Sequence, residues 1–189
     1  MIFVGAFLMV FFAEMGDKSQ LLAMTLATRF SIKVVLAGVV VATVINNGLA
    51  VLLGYYLQTA LDLELIQILA SAAFIGFGVW RLFDKDDEES SEEEVVENKS
   101  FWGPLGTVAA VLFLAEIGDK TQLATIAYVI NYGSPLQTFL GVITGMVLAD
   151  LLGILAGNYI SRVLHKKQLI RWISAVIFIL FGIGGLLLM

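Results

Sequence analysis

Two short strings, AEMGDKSQL at 13–21 and AEIGDKTQL at 115–123, set acids, bases and neutral oxygen groups inside long apolar stretches. Glu14, Asp17, Glu116 and Asp119 are the acids, and Lys18 and Lys120 the bases. An ionised carboxylate within hydrocarbon costs at least ~2.5–3.5 kcal/mol on insertion scales, so four unpaired ones would be hard to support. On a continuous helix turning about 100° per residue, Asp17 lies about 60° to one side of Glu14 and Lys18 about 40° to the other. One narrow face then carries two acids and a base, with Glu14 and Lys18 in the favourable i,i+4 order. Glu116, Asp119 and Lys120 repeat that face, and both faces are expected to turn inward, towards each other.

Four carboxylates and two ammonium groups leave a net charge of −2, which one divalent cation or two protons would cancel. Desolvation favours the neutral form of a carboxylate, which lets protons compete with a metal for the same acids. The expected chemistry is therefore electroneutral exchange of one divalent cation for two protons. Neutral oxygens are available from Ser19, Gln20, Thr121 and Gln122, with Asn47 and Asp150 as auxiliary groups. An all-oxygen set suits Mn²⁺, Ca²⁺ or Mg²⁺, whereas Zn²⁺ and copper usually recruit His or Cys. The chain has no cysteine, and its one histidine, His165, lies in a basic loop. Mg²⁺ sheds water reluctantly and is the least favoured. On an ideal helix Ser19 points about 140° from Glu14, which argues against it as a ligand unless Gly16 and Gly118 permit local unwinding.

The elements that would hold these groups are membrane helices. Hydrophobic residues make up 59% of the 189, above the roughly half of a soluble domain. Six apolar stretches, at 2–28, 34–57, 65–83, 104–131, 136–160 and 169–189, reach or approach the ~20 residues needed to cross ~30 Å of hydrocarbon. Nine of the sixteen acids crowd into 84–97, in a solvated linker over 84–100. Apart from Lys18 and Lys120, every basic residue falls in or beside the first, third and fifth connections. The positive-inside rule makes those connections cytoplasmic and leaves both termini outside. The first stretch contains Glu14, Asp17 and Lys18 and lacks a basic leader, so it reads as a retained span rather than a signal peptide. A bacterial inner (plasma) membrane is the expected location.

The halves repeat beyond the two strings. Gly38, Asn47, Gly54 and Tyr56 align with Gly141, Asp150, Gly157 and Tyr159, and FIGFG at 74–78 aligns with FILFG at 178–182. A three-helix unit is odd, so its second copy must enter the bilayer from the opposite side. The expected fold is an all-α integral membrane protein of six transmembrane helices, built as two inverted three-helix repeats over 1–83 and 101–189. Such inverted repeats are a transporter architecture, with the site near the midplane where the copies meet.

EMGDKS and EIGDKT both match E-x-G-D-[KR]-[ST]. The sequence thereby resembles a family of membrane cation/proton exchangers that carry this signature twice. The family includes a Golgi manganese and calcium transporter, chloroplast manganese transporters and bacterial manganese exporters. The resemblance covers nearly the whole chain, and neither signature departs from the pattern. It implies that Glu14, Asp17, Glu116 and Asp119 bind the ion, with Lys18, Ser19, Lys120 and Thr121 completing the motifs. It also implies Mn²⁺ or Ca²⁺ as substrate, and in a small bacterial-looking chain it points to Mn²⁺ export. No permanently bound cofactor is expected, only the transported metal and protons.

Plainer readings stand beside these. The acids could form buried Glu–Lys bridges that hold helices together, but such pairs stabilise poorly and here the acids outnumber the bases two to one. Lys18 and Lys120 could neutralise the empty site or gate it. Asp150, aligned with Asn47, could carry a proton or make an interhelical hydrogen bond; Asn46 and Asn47 read as glue between helices. The acidic linker reads first as a tether, and only second as a metal-gathering antenna. The partners expected are a divalent metal ion and the lipid bilayer, with no nucleic acid; a homodimer is left open. The rival functions are a cation channel, which needs no inverted halves, and a small-organic-solute exporter, whose site should not carry excess negative charge. An enzyme is disfavoured, because the acids come in lysine-paired duplicates.

Overall fold

A computed structural model describes residues 1–83, 103–163 and 167–187, without the side chains of Lys18, Arg81 and residues 156–171. The acidic linker expected at 84–100 lies outside the described residues. Those residues form eight α-helices and no strand: α1 (Ile2–Glu14), α2 (Lys18–Arg29), α3 (Ile32–Ala60), α4 (Leu63–Phe83), α5 (Gly103–Glu116), α6 (Lys120–Tyr132), α7 (Pro135–Val163) and α8 (Lys167–Leu187).

Four of the six expected stretches appear as single helices. The other two, 2–28 and 104–131, are each broken in two, which corrects the expectation of a continuous helix through either signature. The cause is the glycine in each signature. Gly16 and Gly118 have φ of 76° and 74°, a region that glycine adopts without the clash a Cβ would bring. Met15 before the first glycine and Asp17 after it are extended, so α1 stops and α2 starts afresh. Among the described residues three helices suffice by length and composition to cross a membrane, at Ile32–Ala60, Leu63–Trp80 and Pro135–Leu155; Ile2–Glu14, Gly103–Glu116 and Trp172–Leu187 are shorter apolar helices.

Helix lengths of 13, 12, 29 and 21 residues in the first half are followed by 14, 13, 29 and 21 in the second. The packing repeats as well. Helix α1 lies on α7 as α5 lies on α3, α2 on α7 as α6 on α3, and α4 pairs with α8. Small residues permit that last approach: a Cβ on Gly78 would lie 2.8 Å from the Ala175 carbonyl oxygen, and one on Gly182 would lie 2.8 Å from that of Ser71. Where lipid removes the hydrophobic drive between helices, such close backbone contact is what holds them.

Two buried clusters flank the breaks. Met9, Val10, Phe74, Tyr128, Met146 and Phe178 fill one, and Leu26, Val35, Val39, Val108 and Leu112 the other. The outside is apolar too, with Leu52, Leu136 and Leu180 each more than 60% exposed. Water would penalise such a surface, whereas acyl chains match it.

Candidate functional site

Breaking a helix inside an apolar body leaves amide N–H and carbonyl groups without helical partners. Each signature supplies the remedy within itself. The Gln20 side-chain oxygen accepts from the Gly16 N–H at 2.8 Å, and that of Gln122 accepts from the Gly118 N–H at 2.7 Å. The Asp17 and Asp119 N–H groups turn back to the carbonyls of Glu14 and Glu116 at 3.1 and 3.2 Å. The amide ends of the two glutamines tie the breaks to the long helices: Gln20 donates to the Ala149 carbonyl at 2.6 Å and Gln122 to the Asn46 carbonyl at 3.3 Å. Gln20 and Gln122, expected as supporting oxygens of the motifs, thus brace the breaks, each side-chain oxygen accepting one hydrogen bond.

An added Cβ on Gly118 would meet nothing within 4 Å. The cost of Gly118→Ala is therefore purely that of the left-handed backbone, about 1–2 kcal/mol. Thermal unfolding in detergent should show that loss, and an unchanged melting temperature would mean that the break does not need the positive φ.

The breaks bring together acids from both halves. One carboxylate oxygen each from Glu14, Asp17 and Asp119 lie within 4.8 Å of one another. Glu14 is fully buried. One of its oxygens, Oε2, accepts from the Ser19 hydroxyl at 2.5 Å. This corrects the ideal-helix placement of Ser19 away from Glu14, since the break swings it back. Asp119 caps α6, accepting from the Thr121 hydroxyl at 3.2 Å and the Thr121 N–H at 3.4 Å.

Lys120 crosses between the halves. Its Nζ lies 2.7 Å from both Asp17 oxygens, with the two side chains only 10% and 14% exposed. The expected pairing of each lysine with the glutamate on its own helix face is thus overturned for Lys120: the break carries the lysine off that face. The side chain of Lys18 lies outside the described residues.

Glu116 is buried but stands apart from the close trio. Its Oε2 accepts from Asn46 Nδ2 at 3.2 Å, and the same amide reaches the Phe113 carbonyl at 3.1 Å. Asn46 is thus the helix glue expected of it and also the group that positions a signature glutamate. Sequence reasoning missed this second role, although the Asn46–Asn47 pair inside an apolar helix was its signal. Asn47 acts as glue: it donates to the Thr43 carbonyl at 3.2 Å and accepts from the Thr125 hydroxyl at 3.3 Å. Asp150 is fully buried, and among the described residues neither of its oxygens accepts a hydrogen bond.

The arrangement is a buried, oxygen-rich site of excess negative charge at the meeting of two interrupted helices. Interrupted helices of this kind build ion sites in membranes, because irregular backbone is tolerated there only where protein or a cavity surrounds it.

Comparison with known proteins agrees with that chemistry. A family model described as "Divalent cation/proton antiporter GDT1" matches residues 2–89 and 104–188. "Protein PAM71, chloroplastic" of Arabidopsis thaliana is 33% identical over 205 residues, covering 95% of this chain and 55% of that protein. The chain thus spans about half the length of that relative. A Vibrio cholerae protein named "Putative manganese exporter" is 33% identical over 175 residues, covering 91% of this chain and 84% of its own. "GDT1-like protein sll0615" of Synechocystis is 27% identical over 197 residues, covering 96% and 94%. No solved structure matches the chain.

Proposed function

The chain belongs to the GDT1 family of divalent cation/proton antiporters, and from that premise we propose that it exports Mn²⁺ from the cytoplasm in exchange for protons. The observation that carries the reading is the convergence of Glu14, Asp17 and Asp119, from two halves of the chain, within 4.8 Å. Glu116 joins them as the fourth carboxylate during the cycle, released from Asn46. Metal and protons compete for these acids, and one divalent cation replaces two protons. The all-oxygen donors suit Mn²⁺ and Ca²⁺ alike; the name of the Vibrio cholerae relative favours Mn²⁺.

In this reading α1 with α2, and α5 with α6, are two interrupted spans. With α3, α4, α7 and α8 they make six crossings in two inverted repeats, 1–83 and 101–189, joined by the cytoplasmic linker 84–100. The matched helix lengths and exchanged packing pairs support that arrangement. The membrane is the inner (plasma) membrane, with both termini outside. Two inverted halves are what alternating access requires, and a channel has no use for them.

The test is uptake into proteoliposomes under an imposed pH gradient, with a metal-sensitive dye, for Mn²⁺, Ca²⁺ and Mg²⁺. Mn²⁺ uptake that ΔpH drives uphill, and that both Glu14→Gln and Glu116→Gln abolish, is the expected result. Metal flux indifferent to ΔpH would point to a channel. No metal flux from confirmed proteoliposomes would point to an organic solute.

A further inference from the structure

Asn47 and Asp150 occupy matching positions in INNGLAVLLG and LADLLGILAG, yet only one is an acid. The groups that hold Asn47 explain what Asp150 lacks. Asn47 Oδ1 accepts from the Thr125 hydroxyl, and its amide faces Met146 Sδ at 3.4 Å. In the matching half Thr125 becomes Ala23, which has no donor, and Met146 becomes Thr43. Thr43 is fully buried on α3, and among the described residues its hydroxyl has no hydrogen-bond partner.

Among the described residues Glu14 Oε1 and Asn46 Oδ1 share this condition, as do Ser71 Oγ and Asn131 Oδ1, which lie together elsewhere, beside Gly185 of α8. The Thr43 hydroxyl, Glu14 Oε1, Asn46 Oδ1 and both oxygens of Asp150 make a set of five unpartnered oxygens, carried by α1, α3 and α7. The Asp150 charge acts on Glu14 and Glu116, and that of Asp17 acts on Asp150, which places Asp150 within electrostatic reach of the signature acids. The Gln20–Ala149 bond fixes α7 one residue before Asp150 against the first helix break.

A buried oxygen without a donor carries its full desolvation cost, and a buried carboxylate carries more. The trio at the breaks already holds a cation, the Lys120 ammonium on Asp17. The five-oxygen set holds none among the described side chains. Its chemistry is two carboxylates, a hydroxyl and an amide carbonyl, with no nitrogen or sulfur donor, which is a hard-cation set.

We propose that Asp150, Glu14, Thr43 and Asn46 form a further station for a divalent cation between α3 and α7, next to the trio at the breaks. Glu14 serves both positions, through Oε2 at the break and Oε1 at the station. Asp150 is then a cation ligand outside the two signatures, and it makes the two halves unequal in charge. This rests on the divalent-cation reading above and adds a ligand to it.

The experiment is calorimetric titration of the full chain in detergent with Mn²⁺ and with Ca²⁺. The variants are Asp150→Asn, Thr43→Val, Thr43→Ser and Glu14→Gln. Asp150→Asn should weaken Mn²⁺ binding about tenfold or more, since even outer partners of a metal site cost that much. Thr43→Val should weaken it less, and Thr43→Ser should restore it; that pair decides the matter should Asp150→Asn fail to fold. Unchanged Mn²⁺ affinity in Asp150→Asn and Thr43→Val, with Glu14→Gln binding none, overturns the station and leaves the proposed function intact. An Asp150→Asn protein with wild-type affinity but an altered pH dependence of transport also overturns it and makes Asp150 a proton carrier. If the wild type binds neither metal, both readings fall together.

Discussion

Replacing Glu14 with glutamine is expected to lower cation/proton exchange by at least ~100-fold and leave the protein as stable as the wild type, or more so. The side chain is fully buried; Oε2 accepts from Ser19, and among the described residues Oε1 has no partner. Asp17 and Asp119 crowd it, and among the described side chains no cation pairs with it. A carboxylate in that position costs about 2.5–3.5 kcal/mol or more to hold in the membrane, and glutamine keeps its shape without the charge. An ion-binding role therefore predicts that transport and stability move in opposite directions, as they do where a site is strained for function. A bridging role predicts the reverse: removing one partner of a buried ion pair destabilises by about 3–5 kcal/mol. Thermal unfolding and proteoliposome flux, measured on the same Glu14→Gln preparation, separate the two. A fall of many degrees in melting temperature with residual transport would mark Glu14 as a structural group.

Hydropathy located the helices well because the bilayer acts on whole segments. The stretches at 34–57, 65–83 and 136–160 differ from α3, α4 and α7 by only a few residues at either end. The same averaging hid the breaks. Met15 and Ile117 keep the apolar run going, so nothing in the composition marks where α1 and α5 stop. Only Gly16 and Gly118 carried a signal, and its meaning depended on a backbone angle. Two angular inferences drawn across the signatures failed with the continuous helix, since Ser19 came back to Glu14 and Lys120 left Glu116 for Asp17, whereas Glu14 and Asp17 stayed together. Which carboxylates would lie inside the helix bundle was legible from residue type and surroundings. Which oxygens would touch was not, because Asn46 reaches Glu116 across 70 positions and Lys120 reaches Asp17 across 103. Those contacts are set by the packing of α3 on α5 and by the meeting of the two breaks.

Lys120→Met is expected to lower the KM for the metal and the maximal rate together, each by roughly 100-fold. The Lys120 ammonium sits 2.7 Å from both oxygens of Asp17, in surroundings that leave little of either side chain exposed. It occupies a carboxylate that an arriving cation would use, so the metal must displace it. The same ammonium then stands ready to reclaim Asp17 and help the metal leave. Removing one partner of such a pair leaves about 3–5 kcal/mol of uncompensated charge. At about 1.4 kcal/mol per factor of ten, that energy is worth two orders of magnitude or more in affinity. A methionine in place of the lysine hands it to the metal: binding tightens, release slows, and turnover falls. The metal-free variant should unfold at a lower temperature than the wild type, and millimolar Mn²⁺ should recover the difference by binding only the folded state. Adding Asp17→Asn should restore the metal-free stability without restoring turnover. A Lys120→Met protein with wild-type KM and rate would show that the lysine does not contend with the metal at all. One with a raised KM would show that the lysine shapes the site rather than competing for it.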